Sequence, residues 1–301
     1  MKIFEHIHSY EERVAVKSNA SEFTYGYLIE KSDLIASFLL NNKQDLSEER
    51  IGLLMSPDIN YICTLWGIWK AGGVAVPLSL SAKKDELKHC ISDCDINLII
   101  SSKIINKQKN IPEYKNLNIT EIEEISLKEK KQLPSIKSER KAMIVYTSGT
   151  TSKPKGVVST HKNVESQITT LVEAWEWRKE DHIPLFLPLH HIHGIINSLC
   201  CPLYAGAKVT MMGPFDAEKV CTQIASNDFT VFTAVPTIYF SLIEKLENSN
   251  NKKLFEGFKK MRLMMSGSAA LAPEIHKKWK ELTGQELLER YGMTEVGMAL
   301  S

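Results

Sequence analysis

The feature that most constrains the fold is an alternation of two hydrophobic rhythms. Short runs that are apolar at consecutive positions recur along the chain: Ile51–Met55, Val74–Leu78, Ile96–Ser101, Ala142–Thr147, Ile183–Leu189, Lys208–Met212, Thr230–Ala234, Arg262–Ser266 and Glu286–Arg290. Unbroken apolarity, as in Met143-Ile-Val-Tyr, suits strands covered on both faces, the habit of parallel sheets. Between these runs lie amphipathic stretches of helical period: Thr24–Leu40, Ile59–Ala71, Lys83–Asp93, Asn163–Trp175, Ala217–Ala225, Pro236–Glu247 and Pro273–Leu282. The alternation predicts an α/β fold of layered, mostly parallel sheets flanked by helices. Local punctuation agrees. Asp216 is placed to cap the helix that follows it, Pro273 to open the last one, and Gly72-Gly73 and Gly284 to stop helices. Ser102–Lys141 breaks the rhythm. It is rich in Lys, Glu and Asn, carries Pro112 and Pro134, and reads as a surface connection.

Composition removes several function classes. Lys+Arg 37 against Asp+Glu 36 gives a net charge of +1, without the basic excess of a nucleic-acid protein. Hydrophobic residues at 43% and charged residues at 24% describe a folded globular chain, not a disordered one. No apolar run approaches the roughly eighteen residues of a membrane helix. The opening Met1-Lys-Ile-Phe-Glu-His has neither a signal-peptide core nor an Arg- and Ser-rich leader. The expectation is a cytoplasmic protein with no membrane span, acting on small molecules. The six cysteines sit mostly in apolar context and are expected buried and reduced. Cys90 and Cys94 lack the second pair that a zinc site would need.

The chemistry concentrates first in Ile144-Val-Tyr-Thr-Ser-Gly-Thr-Thr-Ser-Lys-Pro-Lys-Gly-Val-Val158. An apolar strand ends at Thr147 and hydroxyl residues follow around Gly149. Backbone N–H groups in such a turn form an anion nest, hydroxyls add donors, and Lys155 adds positive charge suited to a triphosphate. The position, at the carboxyl end of a strand, is where open α/β sheets hold ligands. Gly-x4-Gly-Lys-Ser/Thr cannot be aligned on it, which argues against a P-loop kinase. By composition alone the stretch also suits a polar surface turn.

The whole string, however, closely resembles the phosphate-binding signature of the adenylate-forming enzymes, which include acyl-CoA synthetases and peptide-synthetase adenylation domains. Thr147–Gly156 matches their Thr-Ser-Gly-Thr/Ser-Thr-Gly-x-Pro-Lys-Gly pattern at nearly every position, with Ser152 where the family usually has Gly. Three further stretches follow in the family's order. Leu187-Pro-Leu-His-His-Ile-His-Gly194 resembles the segment lining the acyl pocket. Met265-Ser-Gly-Ser-Ala-Ala-Leu271 resembles the glycine-rich segment that holds adenine. Glu289-Arg-Tyr-Gly-Met-Thr-Glu295 resembles the Tyr-Gly-Met-Thr-Glu signature. The resemblance implies ATP/AMP contacts from Thr147, Ser148, Gly149, Thr150, Thr151, Lys155, Gly267, Ser268, Ala269, Tyr291, Gly292, Met293 and Thr294. Tyr291 would pack on adenine and Thr294 would bond the α-phosphate. Glu295 would ligate Mg²⁺, an ion that takes a carboxylate plus phosphate oxygens and keeps its waters. A metal cluster of His190, His191 and His193 is a weaker reading, because adjacent histidines rarely converge on one ion.

Within that family the similarity from Tyr146 to Ser301 is to malonyl-CoA synthetases, including the type that accepts methylmalonate. The distinguishing residue is Arg290. Arginine is scarce in this chain, and a buried guanidinium suits a fixed planar carboxylate, which it binds with two parallel hydrogen bonds. In those synthetases the Arg before Tyr-Gly-Met-Thr-Glu holds the unreactive carboxylate of the diacid. His193, with Ser266 or Ser268, is its expected helper, and the catalytic set becomes Thr294, Glu295, Lys155 and His193. The implied reaction uses ATP and CoA as co-substrates: malonate forms malonyl-AMP, and CoA then displaces AMP. The alternatives are a ligase for methylmalonate or another small acid, and a nucleotide- or acyl-binding module without full turnover. The resemblance also implies two α/β subdomains, residues 1–165 with the phosphate loop and 166–301 with the acid and adenine motifs. Family members continue beyond their Tyr-Gly-Met-Thr-Glu into a barrel subdomain and a C-terminal domain with a catalytic Lys. None of those later motifs occurs here, so weak or incomplete turnover is expected of this chain alone.

Overall fold

The computed structural model describes residues 2–18, 21–108, 111–125, 130–147 and 153–301. The largest sheet has six strands in the spatial order Asn118–Glu121, Leu98–Ser101, Arg50–Leu54, Val74–Pro77, Lys141–Thr147 and Lys155–Thr160. Its pairings are parallel except the last, where Lys155–Thr160 returns antiparallel to the strand that leads into the phosphate loop. A second sheet runs Ser21–Thr24, Val14–Ser18, Lys208–Met211, His182–Leu185. A third, fully parallel, runs Val231–Ala234, Leu263–Ser266, Leu288–Glu289. The chain ends in an antiparallel pair, Tyr291–Met293 with Gly297–Leu300. This is the layered, mostly parallel α/β architecture that the hydrophobic rhythm predicts.

The helices form where the period and the caps place them. Tyr25–Leu40 starts behind Thr24, whose side chain accepts from the Tyr27 N–H. Ile59–Lys70 starts behind Asp58, which accepts from the Asn60 and Tyr61 N–H groups. The two pack together, and Gly67 permits the contact, since a Cβ there would lie 2.7 Å from Ile35. Asp216 caps Ala217–Ser226 through the Lys219 N–H, and Pro273 opens Pro273–Thr283. Gly284 ends that helix in the left-handed conformation at φ 73°. One core, which includes Trp66, Trp69, Phe232 and Trp279, runs through the molecule. A smaller one lies between the six-stranded sheet and helix Lys84–Asp93. All six cysteines are free and buried.

Three expectations change. Ser102–Lys141 is not only a surface connection: it forms helix Lys103–Gln108 and the edge strand Asn118–Glu121, and buries Ile122 and Ile125. The strand expected over Ile183–Leu189 is His182–Leu185, the length over which Lys208–Met211 pairs with it. The strand expected over Glu286–Arg290 shrinks to Leu288–Glu289, although the Arg290 N–H still bonds the Ser266 carbonyl at 3.0 Å. The 165/166 division expected from sequence runs across a sheet, because Val14–Ser18 pairs with Lys208–Met211.

Candidate active site

The carboxyl ends of the strands open onto one cavity of about 1030 Å³. Parallel sheets collect their ligands there because loops of several units converge at that edge. Thr147 and Lys155 enter from the six-stranded sheet, facing each other in register across its antiparallel pair. His193, Ser268 and Arg290 enter from the other wall, and Gly292, Met293, Thr294 and Glu295 from the final hairpin. The motif residues Ser148, Gly149, Thr150 and Thr151 lie outside the described residues. Gly267, Ala269, Ser266 and Tyr291 do not line the cavity: Ala269 and Tyr291 are exposed, and Ser266 is buried with its hydroxyl unpaired.

Arg290 is the deepest charge, only 6% exposed. Its Nη2 donates to Thr233 Oγ1 at 3.0 Å, and its guanidinium lies 5.9 Å from the centre of the Trp175 ring. Nε has no partner. Gly267 makes room for it, since a Cβ there would come within 2.8 Å of Arg290 Cγ. Burial pulls the guanidinium down from its ordinary value to about 10, which leaves it charged near neutral pH. Thr233 also meets His193, whose Nε2 lies 2.9 Å from Oγ1, while Nδ1 lies 3.0 Å from Ser268 Oγ. Burial, then the Arg290 charge, hold His193 well below 6.5, so the imidazole is neutral. The cluster therefore offers one permanent cation and one neutral hydrogen-bonding ring. Ser268 keeps its hydroxyl there with φ at 69°, a conformation non-glycine residues seldom adopt and one that gathers at functional sites.

His193 begins a π-helix, His193–Cys200, which continues as helix Cys201–Tyr204. Such wide turns are rare and concentrate at functional sites. Gly194 is required by the fold here, because a Cβ would overlap the Pro188 carbonyl. The preceding bend is anchored by the Tyr61 hydroxyl, which donates to the Leu189 carbonyl at 2.6 Å. Asn197 lines the cavity from this helix, and among the described residues its buried amide nitrogen has no partner.

Glu295 is the one carboxylate among the described lining residues. No group of three or more His, Cys, Asp or Glu that could hold a metal occurs among the described residues. A single exposed carboxylate fits an ion that arrives with phosphate oxygens and water, which is how Mg²⁺ is usually held.

The AMP-binding enzyme family profile matches residues 3–301. The chain belongs to this family. It is 36% identical over 321 residues to the mitochondrial malonate–CoA ligase of Homo sapiens, covering 99% of this chain and 56% of that protein. It is 36% identical over 331 residues to a malonate–CoA ligase of Arabidopsis thaliana, covering 96% and 54%. Its fold superposes with a TM-score of 0.82 on a malonyl-CoA ligase described as a ternary product complex with methylmalonyl-CoA and AMP bound. That likeness has 28% identity and covers 96% of this chain and 59% of the other. The chain thus spans little more than half the length of the curated relatives it matches.

Sequence reasoning missed Thr233, the hydroxyl shared by Arg290 and His193. Its signals were a polar residue inside the apolar run Val231-Phe-Thr-Ala and its place at the head of Thr233-Ala-Val-Pro-Thr-Ile-Tyr239, a stretch similar to malonyl-CoA synthetases. It also missed Trp175, which reaches Arg290 from the end of a helix distant in sequence. Among the described residues no helix is long and apolar enough to cross a membrane.

Proposed function

We propose that this chain carries the ATP- and acid-binding part of a malonate–CoA ligase. A malonate carboxylate oxygen attacks the α-phosphorus of ATP, forming malonyl-AMP as pyrophosphate leaves. The CoA sulfur, having given up its proton, then attacks the acyl carbon, forming malonyl-CoA as AMP leaves. The observation that carries the reading is Arg290, a charged guanidinium buried at the cavity wall beside a neutral His193. A monocarboxylate would leave that charge without an anion. A dicarboxylate gives it one and keeps its second carboxylate for ATP. The names of the relatives support the same choice.

In this reading Arg290, His193 and Ser268 serve the distal carboxylate, since Ser266 does not line the cavity. Thr147, Ser148, Gly149, Thr150, Thr151 and Lys155 take the phosphates. Gly267, Ser268, Ala269, Tyr291, Gly292 and Met293 take the nucleoside, and Thr294 the α-phosphate. Glu295 would hold Mg²⁺, which when bound neutralises charge on the phosphate oxygens. No protein nucleophile is needed, since positioning and charge neutralisation can drive the transfer. Methylmalonate is a second reading, favoured by the product named in the related ligase structure. Two interleaved subdomains and a cytoplasmic location complete the proposal.

Thermal unfolding of the chain with Mg²⁺-ATP tests it, because ligands of the native state raise the midpoint by mass action. Malonate or methylmalonate should add a further rise that acetate and long-chain acids do not. A rise with acetate or a long-chain acid, and none with either diacid, overturns the substrate assignment.

A further inference from the structure

Helix Lys84–Asp93 contributes nothing to the cavity lining, yet three residues at its carboxyl end touch both stems of the phosphate loop. On the incoming stem, the Tyr146 hydroxyl donates to Asp93 Oδ2 at 2.7 Å, and Cys94 Sγ lies 3.0 Å from the same oxygen. A phenol has one proton to give, and the carboxylate takes it. The Cys94 thiol, held protonated by burial, then donates to the phenol oxygen. On the outgoing stem, His89 Nε2 lies 2.9 Å from the Pro154 carbonyl, and a carbonyl can only accept, so Nε2 carries the proton. The two attachments brace each other, with the His89 and Tyr146 rings edge to face at 6.2 Å.

Two observations show that this is a built arrangement. Tyr146 and Gly156 are partners across the antiparallel pair. A Cβ at Gly156 would lie 3.3 Å from Tyr146 Cζ and 2.9 Å from Ile144, so glycine lets the ring lie across the outgoing strand. The helix end also carries Asp93 and Asp95, negative charges where the helix dipole disfavours them. Each is matched: Asp93 by Tyr146, and Asp95 by Arg50, whose Nη2 reaches it at 3.0 Å while Nε holds the Cys94 carbonyl at 2.7 Å. Arg50 begins a central strand, so the clamp is fixed to the sheet.

We propose that His89, Asp93 and Cys94 are positioning residues for ATP. They clamp the two stems of the phosphate loop so that Thr147 and Lys155 face the cavity at a fixed separation. This rests on the ATP-binding reading of the loop, and the test separates the two. Affinities for Mg²⁺-ATP and AMP are measured calorimetrically for wild type, His89→Ala, His89→Gln and Tyr146→Phe. Amide exchange across residues 141–160 is followed in the same proteins without nucleotide. Tyr146→Phe keeps the ring in the core, and His89→Gln keeps an N–H donor. The clamp predicts faster exchange in the stems for His89→Ala and Tyr146→Phe. It predicts ATP weakened roughly 2- to 10-fold, the worth of one hydrogen bond, with AMP within about 2-fold and recovery in His89→Gln. Unchanged exchange overturns the clamp, as does unchanged ATP affinity or an equal loss of AMP. A wild-type protein that binds no ATP counts against the functional reading, and exchange then decides the clamp.

Discussion

The Thr233 hydroxyl lies 3.0 Å from Arg290 Nη2 and 2.9 Å from His193 Nε2, so one oxygen sets the spacing between a permanent cation and a neutral ring. Thr233→Val keeps the branched shape and removes that oxygen, leaving two buried polar groups without partners. A loss of about 1–3 kcal/mol in urea unfolding is expected, together with weaker malonate binding in the presence of ATP. Thr233→Ser should recover most of both, and equal urea midpoints for Val and wild type would contradict this account. Gly267 supports the same charge from behind. Gly267→Ala places a carbon 2.8 Å from Arg290 Cγ and 3.0 Å from Nη1, closer than Cβ atoms pack, so the guanidinium must move. The malonate-dependent rise in unfolding temperature should shrink by more than the rise with ATP alone. Equal changes in both would show that Gly267 acts through its nucleoside contact alone and not through Arg290.

At the scale of the element, Asp181 ties three segments together at the amino end of its strand. It accepts from Arg262 Nε at 2.9 Å, from the Thr230 hydroxyl at 2.7 Å and from the Arg178 N–H at 2.8 Å. Burial pushes this carboxyl up, and the bonds from Arg262, Thr230 and Arg178 outweigh it, so the net shift is below 3.8. A lowered carboxyl stabilises the fold above its unfolded value and loses that contribution as pH falls through the folded one. Asp181→Asn should cost roughly 1.5–3 kcal/mol at neutral pH, the range of charged hydrogen bonds, and less below pH 3; a constant difference down to pH 2 would refute this. The elements differ in how far sequence showed them. Central strands such as Lys141–Thr147 are buried on both faces, so apolarity alone marks them. Edge strands such as Asn118–Glu121 and Lys155–Thr160 are half solvated and polar, and read as loop. The π-helix His193–Cys200 has no apolar period of its own that would set it apart from an α-helix in sequence. Arg290 and His193 were legible because they sit inside linear motifs. Trp175 was not, because folding alone brings it there, and Thr233, although it heads the stretch Thr233-Ala-Val-Pro-Thr-Ile-Tyr239, gave no sign of the two hydrogen bonds it shares.

For the whole molecule, the widest electrostatic consequence of this packing is a set of buried neutral histidines. His161 is lowered to about 4 by burial, then by Arg140; His182 to about 3 by burial, then by Lys208; and His193 well below 6.5. All three are under 9% exposed. They stay neutral in the native state while the unfolded chain takes up protons near pH 6.5. Their sign is therefore the same: stability present above pH 6.5 declines as pH falls from there toward 4, because the unfolded state binds more protons. Each histidine contributes a slope of at most about 1.4 kcal/mol per pH unit, and His190, lowered to about 4, and His191 add to it with the same sign. Urea unfolding between pH 4.5 and 8 should show a plateau above 7 and this decline below. His161 isolates one share of it, since among the described residues both its buried ring nitrogens lack partners and its ring packs edge-on against Trp69. His161→Phe keeps the ring and removes the titration, so no polar group is left unpaired. Its stability at pH 8 should lie within about 1.5 kcal/mol of wild type, and its slope near pH 5 should be lower by one proton. A slope unchanged by His161→Phe would mean that His161 is protonated in the native state, and the neutral-core account of the acid limb would fail at that position.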